Sequence, residues 1–213
     1  MNPSDRPWFA RETAAALLLA GALGGAGPAR GAELKDVQVT VKDGRYYVVA
    51  EMTVDAPLEA TFNALVEYDS FDEHSAIYVN THYLDPAADG TPRVFTRIEG
   101  CVLGFCRGVE RIMLLEATPF DVVRATVESE SDGNLRYGQE TWALSPTEGG
   151  TLIIYHHELE LGFWLPPLVG PWAVRRALYW GASDVVQTLE DIALTGSYTP
   201  VKESPCCRTG EGG

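Results

Sequence analysis

From Val37 onward, apolar residues recur at every second position. Val37, Val39 and Val41 alternate with polar neighbours, Asp43-Gly44 supplies a turn, and Tyr46 to Val54 continues as a strand. At Pro57 the period changes: Leu58, Phe62, Leu65 and Val66 fall on one helical face, with Asp55 placed to cap it. Phe71 to His74 reads as a second, short helical turn.

Alternation then resumes in a series of segments. These are Ala76 to Leu84, Arg93 to Glu99, Gly108 to Glu116, Val122 to Ser129, Leu135 to Leu144 and Thr151 to Phe163. Turn residues separate them, among them Asp89-Gly90, Thr118-Pro119, Asp132-Gly133 and Gly149-Gly150. Links this short join antiparallel neighbours and leave no room for βαβ crossovers. From Pro166 to about Leu194 the period becomes 3.6, with Val174, Leu178, Ala182, Val185, Leu189 and Ile192 on one stripe. Pro167 and Pro171 lie in its first turns and Gly196 ends it. The expected fold is α+β: a curved antiparallel sheet wrapped around a long C-terminal helix, with two short helices after the first core strand.

Several local motifs in this order resemble the START-like helix-grip superfamily known as SRPBCC. They are Thr53-Val54-Asp55-Ala56-Pro57 entering the first helix and Val66-Glu67-Tyr68-Asp69 leaving it. Thr141-Trp142-Ala143-Leu144 before a Gly-Gly-Thr turn fits as well. So does Phe163-Trp164-Leu165-Pro166-Pro167-Leu168 ahead of a helix bearing Arg175 and Arg176. The resemblance spans about Tyr46 to Thr195 and lies nearest the polyketide cyclase/dehydrase and lipid-transport branch, which includes coenzyme Q-binding START-like proteins. It implies a cavity between sheet and helix that takes a lipid, sterol, quinone or polyketide. Superfamily membership alone does not separate carrier from enzyme.

Charge narrows the choice of partner. Thirty acidic residues against sixteen basic give a net charge of −14, which argues against nucleic acid, since phosphate binding relies on clustered Lys and Arg. It argues nearly as well against resting on an anionic membrane by charge alone. The first thirty-two residues have the layout of a secretory signal peptide. Arg6 and Arg11 precede the apolar run Ala14 to Leu23, and small residues follow, with cleavage expected after Ala29 or Ala32. An uncleaved, membrane-tethering segment is the alternative. The expected organisation is a signal peptide at 1–32, a ligand-binding domain at 33–196 and a disordered tail at 197–213. Export to the periplasm or cell exterior follows.

Cysteine usage agrees with export. Cys101 and Cys106 flank a four-residue connection between two strands, and facing positions across it bring Cα atoms to about 5.5 Å, a disulfide separation. Reduced thiols or part of a metal site are the alternatives, and no neighbouring His or Cys completes zinc ligation. Cys206 and Cys207 remain unassigned.

Strand phase nominates the interior. Ile153, Tyr155, His157, Leu159 and Leu161 share the apolar face of their strand; His156, Glu158 and Glu160 share the solvated one. Trp142 and Leu144 share a face with Glu140, and Met113 and Leu115 share one with Arg111. The expected ligand-binding set is Arg111, Met113, Glu140, Trp142, Tyr155, His157 and Leu159 from the sheet, with Val174, Leu178, Ala182 and Val185 from the helix. Arg111, Glu140 and His157 are expected to meet as a polar cluster that orients a ligand head group or moves a proton, with His157 poised near neutral pH. The competing expectation puts them at the rim after a strand bulge. Tyr137, Trp142, Tyr155, Phe163 and Trp164 are expected in the core or cavity wall. Trp172, Arg176, Tyr179 and Trp180 lie off the main helix stripe and are expected to pack under the preceding loop rather than form an exposed patch.

No nucleophile elbow, His-Glu-x-x-His motif or phosphate-binding loop is present, and no cofactor or metal is called for. The leading expectation is a non-catalytic carrier of a hydrophobic small molecule. An aromatase/cyclase-type enzyme is one alternative. A domain that docks on a membrane complex is another, with transient membrane or membrane-protein contact.

Overall fold

In the computed structural model, residues 31–102, 105–128, 134–164, 170–200 and 204–207 are described. Residues 1–30 of the expected signal segment, most of the loop before the long helix and residues 201–203 and 208–213 of the tail lie outside them. The chain opens with a hairpin, β1 (Glu33–Lys42) and β2 (Arg45–Val54). Its two-residue turn is built on Asp43 and Gly44, both at positive φ (51° and 82°), the backbone that matches the twist of a tight hairpin.

Helices α1 (Leu58–Leu65) and α2 (Phe71–His74) follow. Asp55 does not cap α1: Pro57 occupies the cap position, its carbonyl accepting from the Thr61 N–H, while the Asp55 N–H donates to the Glu190 carboxylate at 2.9 Å. A proline there needs no donor and already has an extended ψ, so a side-chain cap is dispensable. The meander then runs through β3 (Tyr78–Leu84), β4 (Arg93–Val102), β5 (Phe105–Thr118), β6 (Val122–Val127), β7 (Leu135–Thr147) and β8 (Gly150–Leu161). It ends in α3 (Gly170–Thr195), with Gly196 at φ 73° just beyond.

The eight strands form one antiparallel sheet in the order β1-β2-β8-β7-β6-β5-β4-β3. The α1–α2 segment carries the chain from β2 to the far edge, and the meander returns to pair β8 with β2. This is the expected curved sheet gripping a long helix. Cys101 and Cys106 are direct cross-strand partners and are joined as a disulfide, with Cα atoms 4.0 Å apart. Cys206 and Cys207 are also joined, and Cys206 reaches the core. Residues 204–207, expected to belong to a disordered tail, therefore pack on the body.

Gly150, at the β7–β8 turn, is required by close approach. A Cβ there would stand 2.1 Å from the Val54 carbonyl oxygen. The expected Gly-Gly-Thr turn is thus where β8 is pinned against the end of β2.

Candidate functional site

The concave face of the sheet is apolar except at its centre. Alternation along β5 turns Arg111 inward between Val109 and Met113, and in β7 it turns Glu140 inward beside Trp142. In β8 it turns Tyr155 and His157 inward while His156 faces solvent. Arg111, Glu140 and His157 are all buried, at 3%, 4% and 9% exposure. No bulge interrupts β5, β7 or β8 at these positions. The rim expectation is therefore set aside.

Arg111 and Glu140 form a buried ion pair, Nη2 to Oε1 at 3.3 Å. Tyr155 Oη donates to the other Glu140 oxygen at 2.9 Å. Arg111 Nε donates to Thr96 Oγ1 at 3.0 Å and its Nη2 to Tyr78 Oη at 3.3 Å. Burial works against the charge on Arg111, but Glu140 and the surrounding phenols outweigh it and raise its pKa. Burial lifts Tyr155 well above the ordinary phenol range, with Glu140 adding to it, and pushes Tyr78 up to about 12. The phenols consequently stay protonated, able to donate as Tyr155 does and accept as Tyr78 does, and the guanidinium is a permanent cation.

His157 differs from its expected state. Burial pushes its pKa down to about 4, so the imidazole is neutral at neutral pH instead of poised there. Its Nε2 is buried and has no hydrogen-bond partner among the described residues. Leaving such an atom unsatisfied costs about 1–3 kcal/mol.

Beside the cluster lies a cavity of about 20 Å³, lined by Leu65, Tyr68, Phe71, Tyr78, Glu140, Trp142 and Val185. That is room for one water, since a single water needs on the order of 10–15 Å³ by this measure. A small enclosed space thus lies between sheet and helix, with a mainly apolar and aromatic lining, but it is nearly filled by aromatic side chains. Trp142 and Tyr155 stack with centroids 4.0 Å apart, and Phe71 and Tyr78 meet edge to face at 5.1 Å. A recess of about 740 Å³ lies elsewhere, between the start of β1, the end of β2 and the β7–β8 turn. It opens broadly to solvent and touches none of the buried cluster, so we assign it no role.

The remaining expected site residues divide by depth. Met113, Leu159, Ala182 and Val185 are buried in the same interior, whereas Val174 and Leu178, nearer the start of α3, are only half-buried. Only Glu140, Trp142 and Val185 of the expected set border the cavity. Sequence reasoning missed Tyr68, Tyr78 and Thr96. Thr96 follows the inward phase of Val94 and was legible, but Tyr78 sits where a register shift breaks the alternation of β3.

Four aromatic expectations are corrected. Trp164 is 78% exposed, and Trp172, Tyr179 and Trp180 are exposed along α3. These rings lie on the outward side of the helix, opposite Val174 and Leu178, and are not packed as expected. Phe163 and Tyr137 are half-buried, the latter under the Arg45 guanidinium. Among the described residues no group of three His, Cys, Asp or Glu side chains could hold a metal ion.

No family model matches this sequence, and no curated protein does either. Solved structures do match in shape. A START superfamily protein from Mycobacterium smegmatis superposes with a TM-score of 0.55 at 14% identity, over 70% of this chain and 97% of that one. The Zhui aromatase/cyclase from a Streptomyces species gives 0.56 at 12% identity, over 73% and 97% of the two chains. Human STARD10 gives 0.52 at 11% identity, over 75% and 73%. At such identities the likeness shows the fold alone, and that fold is the START-like helix grip.

Proposed function

We propose that this protein binds a hydrophobic small molecule between the sheet and α3, with its polar end at the Arg111–Glu140–Tyr155 cluster. Lipids, sterols, quinones and polyketide-like molecules all fit this chemistry, and the names of the START and aromatase/cyclase neighbours support it. The observation that carries the reading is the position of the buried ion pair and the unpartnered His157 Nε2, at the centre of an otherwise apolar face. A buried ion pair contributes little net stability over apolar residues of similar size. A ligand hydroxyl or carbonyl would give the orphan nitrogen or the phenols a partner, and apolar contact at about 25 cal/mol per Å² would hold the remainder.

Binding requires the interior to open, because small-molecule sites are typically about 300–1,000 Å³. The first turns of α3 carry no fully buried residue beyond Gly170, so opening is assigned to this helix. The disulfides and the N-terminal pattern support action in an oxidising compartment such as the periplasm.

The pKa of His157 argues against acid–base catalysis, since an imidazole held near 4 is a weak base at neutral pH. His157→Ala is therefore expected to retune binding without abolishing a chemical conversion. Retinol, an apolar polyene alcohol that accepts energy from tryptophan, tests the site. Saturable transfer that falls more in Trp142→Phe than in Trp172→Phe or Trp180→Phe, with retinol still bound, supports interior binding. Transfer undiminished in Trp142→Phe and lost with the α3 indoles places the ligand elsewhere and overturns it.

A further inference from the structure

Helix α3 changes character at Gly181. From Ala182 onward it carries the buried residues Ala182, Val185, Val186, Thr188, Leu189, Ile192 and Ala193. Its carboxylates there face the body: Asp184 accepts from Ser75 and the Ala76 N–H, Asp191 pairs with His74, and Glu190 accepts from Asp55. From Pro171 to Gly181 no residue is fully buried. This half contains no Asp or Glu, and both basic residues of the helix, Arg175 and Arg176.

Rotation of 100° per residue puts Trp172, Arg176, Tyr179 and Trp180 on one face, flanked by Arg175. Val174 and Leu178 point the other way and rest on the core. Trp164 adds a further exposed indole just before the helix. The Arg176 guanidinium sits over the Trp180 ring at 4.6 Å, and neither arginine is ion-paired among the described residues. Two indoles, a phenol and two unpaired guanidiniums on one exposed helix face, with a third exposed indole shortly before the helix, need an occupant.

We propose that the first half of α3, with Trp164, docks on a phospholipid surface. Indole and phenol rings seat at the headgroup level, where one end is apolar and the other wet, and guanidiniums there meet phosphates. Charge disfavours a second copy, because a two-fold interface would set the arginines against each other with no carboxylate in this half-helix to meet them. The rest of the molecule carries the negative excess, which favours turning this patch toward a membrane. This inference holds whether or not the interior carries a ligand.

Sedimentation of the full chain with phosphatidylcholine vesicles, with and without phosphatidylglycerol, tests it. Binding should come with a blue shift of tryptophan emission, and Trp172→Ala/Trp180→Ala should weaken partition by about tenfold or more. Arg175→Ala/Arg176→Ala should weaken it mainly on vesicles containing phosphatidylglycerol. Both variants alter exposed side chains and should keep the parent's circular dichroism and retinol binding. Trp164→Ala/Tyr179→Ser serves as a second pair if the first fails to fold. Each variant is also compared in a chain carrying Leu17→Ser/Leu18→Ser/Leu19→Ser, so that tethering by the apolar Ala14–Leu23 run does not mask the loss. Partition unchanged in both aromatic pairs overturns the proposal. So does a failure to bind either vesicle, or a dimer in solution that the aromatic substitutions dissociate.

Discussion

At the residue scale, the interior is defined by one ion pair and one unpartnered nitrogen. Removing a single member of a buried pair strands the other charge, so Glu140→Met and Arg111→Met should each lower stability by about 3–5 kcal/mol. The double variant should lose much less than the sum, because both charges leave together; chemical denaturation of the four proteins reads this directly. An additive double variant would mean that the two charges do not depend on one another. His157 supplies a pH dependence. Its folded pKa of about 4 lies below the ordinary 6.5, so between these values the unfolded chain takes a proton that the folded one refuses. Stability is therefore full above pH 6.5 and falls as pH drops toward 4. Between pH 7 and 5 this group should remove about 2 kcal/mol, a loss absent from His157→Gln in parallel urea titrations. These positions were legible because β5, β7 and β8 run through them without a slip, so period-two phase sufficed. The partners were not legible. Tyr78 follows a register shift, and Tyr68 sits in the turn after α1, where no period applies. The His157 pKa was missed because it depends on how completely the interior is filled.

At the element scale, α3 is fastened by hydrogen bonds as much as by apolar contact. Asp184 holds the α2–β3 link through the Ser75 hydroxyl and the Ala76 N–H, and these residues adjoin the wall formed by Phe71 and Tyr78. Asp184→Ala should cost about 1–3 kcal/mol. It should also speed retinol release in stopped-flow measurements, because the cover is loosened while the cluster is intact. Unchanged release would mean that ligand passes elsewhere. The helical period identified the inward stripe and its end at Gly196. It could not show how much of the outward side stays exposed, since amphipathicity reports which side faces in but not what covers the other. The expected packing of Trp172 and Trp180 failed for that reason.

At the scale of the whole molecule, the pattern of turns and periods was enough to foresee an antiparallel sheet closed over by a C-terminal helix. The β1–β2 hairpin follows from Asp43-Gly44, and the Cys101–Cys106 pairing from the short connection between β4 and β5. Interior volume was not foreseeable, because it is the small difference between the space the sheet encloses and the bulk of Trp142, Tyr155, Phe71 and Tyr78. The proposed ligand binding rests on a polar centre inside this otherwise apolar interior. Native mass spectrometry of the protein purified from its own host, without organic solvent, tests this most directly. A complex heavier than the polypeptide by one apolar small molecule, reduced to the bare chain by organic extraction and absent from Arg111→Met/Glu140→Met, is the expected result. A bare chain from the host that also takes up none of its extracted lipids would contradict ligand binding in this fold.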